Sequence, residues 1–483
     1  MHCEVSNPGT ARIAAGGLFI FFVLVGFLLG GHPLFALVAA AIAGLAWAAR
    51  LLLPVLRSQM WQILVLVALS GYILLNYGFA NLAFRVGGVP LIIGHGLMFA
   101  ALALAAVGGS IHMGKALREP TAWLLLALTL LTLLHLVSDI PRYGFYAVRD
   151  ASIFLESIFV LLGLAWGRQR GGLKVLMQWL LFLFSLNFAY CLMHPWQEPM
   201  RSASPTSGIF LKVPLLGFHA HNALYLLAGA LFCLFLGGYL IRGARWVLWL
   251  LAAGQLFALA VLQARSMYIG IVVVLFMVAI MREVRKLARL AATLALGIAA
   301  LVVVTSILAV EFPGRVGPVT ASFLEEHANS LLFAPEAPGA GTIVTRLDWY
   351  QHVWEQTTST PSAFLVGSGF GEPLIEFTGP EGTAVRQPHN SHLTVLARLG
   401  AVGALLWILC HISIMRSFLR GLGKRAAISK ESSDLLLWLF IFYVLSMIFT
   451  SVQPHLEFSY GAIPFYFFTG LALGITRREL SGK

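Results

Sequence analysis

The sequence predicts an all-α polytopic membrane protein. Of its 483 residues, 59% are hydrophobic and only 11% are charged, whereas ordinary soluble proteins carry about a quarter charged residues. The mean hydropathy is +0.86. Apolar runs of about 20 residues, the length of a helix that crosses a bilayer, recur along most of the chain. These observations exclude a soluble domain.

We predict about fourteen membrane-spanning helices, with twelve to fourteen as the range. Residues 1–310 contain the first eleven, residues 311–390 form one large loop on the outer side, which is the periplasmic loop if the resemblance described below holds, and residues 391–483 contain the last three and a cytoplasmic tail. The first span is predicted to be uncleaved, because one Arg precedes it and no small-residue cleavage site follows it. The predicted spans are 12–30, 33–53, 60–80, 89–108, 121–140, 150–166, 174–194, 221–241, 244–264, 268–282, 287–310, 391–416, 434–452 and 457–475.

The distribution of the 32 Lys and Arg residues supports this count. With a cytoplasmic N-terminus, most of them fall in short segments that the alternation places inside, as the positive-inside rule requires. Both termini are then cytoplasmic. The net charge of +12 is therefore a topology signal, and no nucleic-acid partner is expected. The four cysteines are scattered and form no CxxC pair, so neither a disulfide framework nor a zinc site is expected.

The loop at residues 311–390 is rich in Pro, Gly, Ser and Thr, and loops of this length are usually functional. Within it, residues 345–358 predict an amphipathic helix at the membrane interface. This helix ends before Pro361, and the glycine-rich segment 367–371 predicts a tight turn. The apolar face predicted for the helix consists of Leu347, Tyr350, Val353 and Trp354.

The segment RQPHNSHLTVLARLGAVG, residues 386–403, combines polar groups with the start of an apolar helix. His389 and Asn390 are followed, after nine residues, by Gly400 and Gly403. Glycines three apart on a helix leave a smooth face for close packing. A neutral imidazole at a membrane boundary can take a proton from a sugar hydroxyl near pH 7, so His389 is a candidate general base. The alternative is that His389 caps or anchors the helix.

Three further histidines are secondary candidates: His219, His221 and His392. The first two open a predicted span together with Asn222, which favours a structural role because Asn is a strong N-cap residue. Carboxylates in the large loop include Glu325, Glu326, Glu372, Glu376 and Glu381. Without a DxD pair or an HxxxH pattern, they do not predict a metal site.

Five arginines on the predicted outer side stand apart from ordinary loop charges: Arg142, Arg149, Arg265, Arg346 and Arg386. Arg265 lies in a connection so short that its guanidinium is at membrane depth, where an arginine usually faces a protein interior or a water-filled cavity. A guanidinium binds phosphate oxygens in pairs, so the cluster predicts a phosphate or diphosphate ligand. The alternative pairs the arginines with carboxylates: Arg149 with Asp150, Arg346 with Asp348 and Arg142 with Asp139.

The second half of the chain resembles the O-antigen ligase and polymerase superfamily of bacterial membrane glycosyltransferases. The matching segments, in chain order, are GFHAHNALYLLAG, QARS, RLDWYQHVW, FLVGSGFGE and HNSHLTVLARLGAVG. The last fits the pattern of the superfamily, His-Asn followed by nine residues and Gly-x-x-Gly, at every fixed position. The resemblance covers roughly residues 140–475 and is closest to the ligase branch.

The resemblance implies a GT-C-like fold in the bacterial inner membrane, with the active site facing the periplasm. It implies transfer of a glycan from an undecaprenyl diphosphate-linked donor to an acceptor hydroxyl, with inversion and without a metal or other cofactor. By position, His389 is then the base, Asn390 orients it, and Arg265 binds the diphosphate, with supporting roles for Arg149, Arg346 and Arg386. Members have about twelve core spans, so an N-terminal pair here is extra or miscounted.

Three alternatives to a ligase that acts on lipid A-core remain open. A polymerase transfers the glycan to a second lipid-linked repeat, and a protein O-oligosaccharyltransferase transfers it to Ser or Thr. A flippase or exporter of lipid-linked sugars would share the arginine-lined cavity but would need no base. The sequence has no evident inverted or parallel repeat, and the absence of such a repeat disfavours a transporter.

Overall fold

The computed structural model describes residues 59–86, 89–112, 114, 119–207, 212–241, 243, 245–303, 305, 313–320, 322, 325–326, 329, 340–378 and 384–481. The predicted spans 12–30 and 33–53 lie outside the described residues. The first half of the described chain contains α1 (Met60–Leu74), α2 (Asn76–Ala80), β1 (Ala83–Val86), β2 (Val89–Ile92), α3 (Ile93–Val107), α4 (Pro120–Tyr143), α5 (Phe145–Asp150), α6 (Ser152–Leu155), a 3-10 turn (Glu156–Phe159), α7 (Val160–Arg168), α8 (Arg170–Leu192), a second 3-10 turn (His194–Trp196), α9 (Gln197–Ala203) and β3 (Thr206–Ser207).

The second half continues with β4 (Val213–Pro214), α10 (Ala220–Phe235), α11 (Gly237–Leu240), α12 (Arg245–Leu262), α13 (Arg265–Ile280), α14 (Val284–Val302), α15 (Ala340–Thr358), α16 (Pro361–Val366), β5 (Phe377–Thr378), β6 (Ala384–Val385), α17 (Ser391–Gly423), a 3-10 turn (Arg425–Ala427), α18 (Lys430–Thr450) and α19 (Ser459–Ser481). The strands form three antiparallel hairpins, β1–β2, β3–β4 and β5–β6.

Five described helices are long and apolar enough to cross a membrane: α4, α8, α12, α17 and α18. Four shorter apolar helices, α1, α3, α10 and α13, accompany them. The structure therefore confirms a helical, multi-pass membrane protein. The count of fourteen spans stays a prediction.

The predicted span 150–166 is not one uniform helix. Pro141 lies inside α4, and Gly144, which ends that helix, has φ +58. A proline removes a helical donor, and a residue of positive φ ends a helix. The chain then continues through the short helices α5 and α6 and a 3-10 turn before α7 begins at Val160. These turns contain Arg149 and Glu156, which line one cavity of the bundle.

Helices α7 and α19 pack at backbone contact. Gly163 and Gly167 on α7 face Gly470 and Gly474 on α19, and both pairs have the spacing that lets membrane helices approach closely. A Cβ at Gly163 would collide with the carbonyl of Phe467, and a Cβ at any of the other three would also strike backbone. Close packing against α7 fixes the position of α19, whose start borders the site.

The helix N-termini at Arg265, Ser391 and Ser459 define what we call the His389 end of the bundle. The opposite end is held by buried polar contacts, including an ion pair of 2.7 Å between Lys286 Nζ and Asp434 Oδ1. Between the two ends the core is aromatic and aliphatic. Trp438, fully buried, donates from Nε1 to the carbonyl of Ala228 at 2.8 Å, which joins α18 to α10.

Candidate functional site

The N-terminus of α17 presents His389 and Asn390. Asn390 is the N-cap, and its Oδ1 accepts the backbone N–H groups of His392 and Leu393, each at 3.1 Å. Asn is preferred there because its side chain satisfies donors that the first helical turn leaves unpaired. His389 has φ +57, a conformation that non-glycine residues rarely adopt and that clusters at functional sites. Asn390 Oδ1 thus caps the first turn of α17, and the local backbone turn sets the direction of the His389 side chain.

The His389 ring is enclosed and neutral. Trp349 of α15 packs against it with ring centroids 5.4 Å apart and planes at 82°. In the described part of the chain, His389 Nδ1 is buried without a hydrogen-bond partner. Burial, and after it the positive charge of Arg346, lower the pKa of His389 to about 4. At pH 7 the imidazole is therefore in the form that accepts a proton.

Arg265, Arg315 and Arg346 form a cationic group, and Arg346 is the member whose charge acts on His389. Burial lowers the pKa of Arg315, and the positive charges of Arg265 and Arg346 lower it further. Burial also lowers the pKa of Arg346, where Arg265 again contributes. The three guanidiniums are thus near enough to repel one another. An anion with several oxygens, such as a diphosphate, would relieve that repulsion through charge-assisted hydrogen bonds.

Arg315 is a member of this group that the sequence did not single out. Gln263, at φ +47 between α12 and α13, accepts the backbone N–H groups of Val316 at 2.7 Å and Gly317 at 3.1 Å through its Oε1. Arg315 itself donates from Nε to the carbonyl of Leu262 at 3.0 Å. These bonds fasten residues 313–317 to the start of α13 and bring Arg315 beside the other two guanidiniums.

A second group of arginines surrounds Asp150, which is buried. Its carboxylate lies 2.6 Å from Arg149 Nη2, 3.1 Å from Arg398 Nη2 and 3.7 Å from Arg386 Nη2. The alternative in which Arg149 pairs with Asp150 is confirmed. Arg398, only 1% exposed, is the residue that sequence reasoning missed. Asp150 therefore ties α5 to the large loop through Arg386 and to α17 through Arg398, next to the His389 site.

The other two alternative pairings are wrong. Asp139 accepts the backbone N–H of Phe370 at 2.7 Å, and Arg142 is exposed on the surface. Asp348 is also exposed, and no ion pair joins it to Arg346 in the part of the chain that the structure describes. Arg142 therefore lies apart from the arginines beside His389, whereas Arg346 belongs to them.

The secondary histidines make packing and capping contacts, and their part in the site stays a prediction. His219, rather than Asn222, is the N-cap of α10, and Asn222 Oδ1 accepts the His219 backbone N–H at 3.1 Å in a capping box. His221 is buried in the first turn of α10. His392 Nδ1 accepts a hydrogen bond of 3.1 Å from Trp407 Nε1, which holds that imidazole inside the bundle.

The helix α15 contains the predicted segment 345–358 but uses a different face. Val353 is fully buried and Trp349 contacts His389, while Leu347 and Trp354 are 53% and 51% exposed. The predicted apolar face is therefore divided between the protein and the surface. The location of the helix at the membrane interface stays a prediction, which the exposed Leu347 and Trp354 favour.

The glycine-rich turn at residues 367–371 packs against a break in helix α17. Gly367, Gly369 and Gly371 have positive φ, which confirms the tight turn. Gly400, at φ +63 and ψ −167, leaves the helical conformation inside α17. The carbonyls near this break, those of residues 397 and 398, accept backbone N–H groups from Ser368 at 2.8 Å and Gly369 at 3.1 Å. The expectation that the Gly-x-x-Gly pattern forms a smooth helix face is wrong, because its first glycine breaks the helix.

Gly400→Ala is expected to destabilise the protein. The positive φ alone costs about 1–3 kcal/mol for a residue with a Cβ, and the new Cβ would collide with the backbone of Leu365. A lower thermal unfolding temperature in detergent measures the loss. Gly171→Ala is the matched control, since its Cβ would meet open space. Equal unfolding temperatures for Gly400→Ala and the wild type would contradict the assignment of the break.

The pH dependence of turnover should follow the buried imidazole. We expect kcat/KM to fall in acid with a midpoint near pH 4, as His389 becomes protonated. Bound diphosphate would raise the pKa of His389, so the acid limb of kcat should lie at higher pH. The pKa of Glu457 is raised by burial to about 7, so a Glu457→Gln background separates the two titrations. A kcat/KM midpoint at or above pH 6.5 in that background would contradict a buried neutral His389.

The described fold and site define a class: a multi-pass helical membrane protein with a neutral imidazole beside clustered guanidiniums. Among the described residues, no three His, Cys, Asp or Glu side chains lie together in a way that could hold a metal ion. Residues 246–408 match the family model described as O-antigen ligase, and this match supports the resemblance to the O-antigen ligase and polymerase superfamily. The matched range includes Arg265, Arg346 and His389. A search of curated proteins finds no match.

Proposed function

We propose that the protein transfers a glycan from undecaprenyl diphosphate to an acceptor hydroxyl, and that the acceptor is lipid A-core at the periplasmic face of the inner membrane. The observation that carries the proposal is the position of His389, neutral and half-buried, beside the guanidinium of Arg346. A base and a diphosphate site are the two parts that this reaction needs. The family match to O-antigen ligase supports the same class of reaction.

The chemistry is a single displacement at the anomeric carbon. The acceptor oxygen forms the new bond to that carbon while the bond from carbon to the diphosphate oxygen breaks, and its electrons stay on the diphosphate. His389 takes the proton of the acceptor hydroxyl. Arg265, Arg315 and Arg346 neutralise the charge that grows on the leaving group, which is electrostatic stabilisation of the transition state. The attack from the opposite face inverts the anomeric centre.

In this proposal no metal ion is needed, because the three guanidiniums supply the positive charge that stabilises the leaving group. The chemistry of the two reacting groups explains why a base is required. A diphosphate is a good leaving group, whereas a sugar hydroxyl is a weak nucleophile until its proton is removed. A transporter of the same lipid-linked glycan would use the cations but would have no use for a neutral buried imidazole beside them.

The test is an in vitro reaction of the purified protein with an undecaprenyl diphosphate-linked glycan, in EDTA, with lipid A-core as acceptor. Glycan on lipid A-core is the result that the proposal expects. Lengthening of the lipid-linked glycan with bare lipid A-core would show a polymerase instead. Transfer only to an added protein would show an O-oligosaccharyltransferase. If the glycan crosses the membrane of proteoliposomes and no bond is formed, the protein is an exporter.

A further inference from the structure

A cavity of about 670 Å³ lies beside the site described above. It is bounded by the β1–β2 hairpin, the first turns of α3, the short helix α5 and the start of α19. Arg149 is on its wall, whereas His389 and the guanidiniums of Arg265, Arg315 and Arg346 are not. The proposed reaction brings two lipid substrates together, and the diphosphate site accounts for only one of them.

The outer wall of this cavity is apolar and open to the surface of the bundle. Phe84, Leu91, Phe99 and Phe145 line it and are 53%, 44%, 50% and 39% exposed. Tyr77 and Phe458 lie deeper, with ring centroids 5.9 Å apart. Exposed aromatic side chains on a membrane protein contact lipid, so an acyl chain can enter from the bilayer. Aromatic faces also pack against the C–H faces of sugar rings.

The inner wall of the cavity is polar. Glu156 Oε1 lies 2.8 Å from His95 Nε2 and accepts the Ser459 hydroxyl at 2.6 Å. Glu156 is 2% exposed and Glu457 is 3% exposed, and in both the Oε2 atom has no hydrogen-bond partner among the described residues. A buried carboxylate oxygen without a donor is costly. The cavity therefore offers two unpaired acceptors to a ligand that brings hydroxyl donors.

The inner wall is also close to the base. Glu457 Oε1 accepts the Thr394 hydroxyl at 3.1 Å, and Thr394 is in the first turn of α17, four residues after Asn390. A ligand in contact with Glu457 therefore lies beside the helix end that presents His389. The negative charge of Glu156 makes this wall unfavourable for a diphosphate, which the arginine group attracts. The negative cavity wall and the positive arginine group therefore favour different binding places for the acceptor and the diphosphate.

We propose that this cavity binds the acceptor, a glycolipid whose hydroxyl-rich saccharide donates to Glu156 and Glu457 while its apolar part lies along Phe84 and Phe99. That the ligand is the acceptor rests on the proposed function, whereas the binding of a glycolipid does not. The volume of the cavity suits a saccharide of a few rings and not a whole glycan. A phospholipid with few hydroxyls would leave both carboxylate oxygens unpaired.

The experiment fills the cavity without touching its polar groups. Gly96 lines the cavity, and a Cβ there would meet no atom within 4 Å, so Gly96→Trp places an indole in the space that the saccharide would occupy. Ala100→Phe fills the same cavity from the next turn of α3 and guards against misfolding of the first variant. Gly171→Trp on α8 is the matched control, because Gly171 is also an exposed helical glycine with open space around its Cβ.

Binding of purified lipid A-core and of undecaprenyl diphosphate is measured separately, in detergent and without turnover. We expect Gly96→Trp and Ala100→Phe to weaken lipid A-core binding by about tenfold or more, the effect of losing one or two hydrogen bonds. Undecaprenyl diphosphate should bind all three variants within about twofold of wild type. In the transfer assay the same two variants should raise the KM for lipid A-core and leave the KM for the donor unchanged.

Two results would overturn the assignment. The first is lipid A-core binding by both filled variants that equals that of the wild type. The second is displacement of lipid A-core by an equal concentration of phosphatidylglycerol, which would make the cavity a general lipid crevice. Because binding is measured without the donor, a wild type that binds lipid A-core and transfers no glycan would refute the proposed function and leave the cavity assignment standing.

Discussion

His389→Asn is expected to reduce glycan transfer by about a hundred- to ten-thousand-fold, the usual contribution of a positioned base. The substitution is chosen because His389 has φ +57, and Asn tolerates this conformation far better than Ala does. An amide cannot take the proton of the acceptor hydroxyl. His389→Ala should lose at least as much activity, and additionally some stability from backbone strain. Initial rates with lipid-linked donor and lipid A-core measure both.

Donor binding and unfolding temperature are the controls for this prediction. His389→Asn should bind undecaprenyl diphosphate as the wild type does, because the guanidiniums remain. If His389→Asn retained more than half of the wild-type rate, His389 would not be the base, and the transporter alternative would gain support. Loss of activity together with loss of folding in both variants would show a structural role instead.

Arg265→Lys and Arg346→Lys are each expected to lower transfer by about a hundredfold or more, although the charge is kept. A guanidinium makes paired hydrogen bonds to phosphate oxygens, whereas an ammonium is a point charge. Loss of one positioned donor in an oxyanion-type site costs about a hundred- to a thousandfold in rate. The affinity for undecaprenyl diphosphate should also weaken. Arg315→Lys should also lower the rate of transfer, because Arg315 belongs to the same group of guanidiniums.

Arg201→Lys is the matched control, because Arg201 is on the same predicted outer side but pairs with Glu198 at 3.8 Å. It should transfer glycan at the wild-type rate. Full activity of Arg265→Lys and Arg346→Lys would contradict a diphosphate site at these residues. So would equal losses in Arg201→Lys, which would indicate a general effect of outer-face charge.

The sequence predicted the helical membrane class because hydropathy depends on local composition alone. It also singled out Arg265, Arg346 and His389, which the structure brings together, because polar groups at membrane depth are rare and therefore informative. The glycine turn at 367–371 was predicted for a similar reason: its conformational demand is local. These features need no knowledge of which helix packs on which.

The features that depend on distant partners were missed. Arg398 looked like an arginine inside a span, and only its contact with Asp150, 248 positions away in sequence, explains it. Arg315 is brought into place by side-chain bonds from Gln263. Gly400 fits the pattern of a packing glycine, yet the turn at 367–371 makes it a break. Small-residue spacing in α7 and α19 is visible in the sequence, but the pairing of these two helices is not.

In the proposed mechanism the guanidiniums of Arg265, Arg315 and Arg346 hold the diphosphate of the donor. A cryo-electron microscopy structure of the protein with undecaprenyl diphosphate tests this most directly. We predict density for the two phosphates between Arg265, Arg315 and Arg346, with the His389 imidazole on the side from which the acceptor approaches. Density for the diphosphate at Asp150 and its arginines, or anywhere that leaves Arg265 and Arg346 without contact to it, would contradict the account.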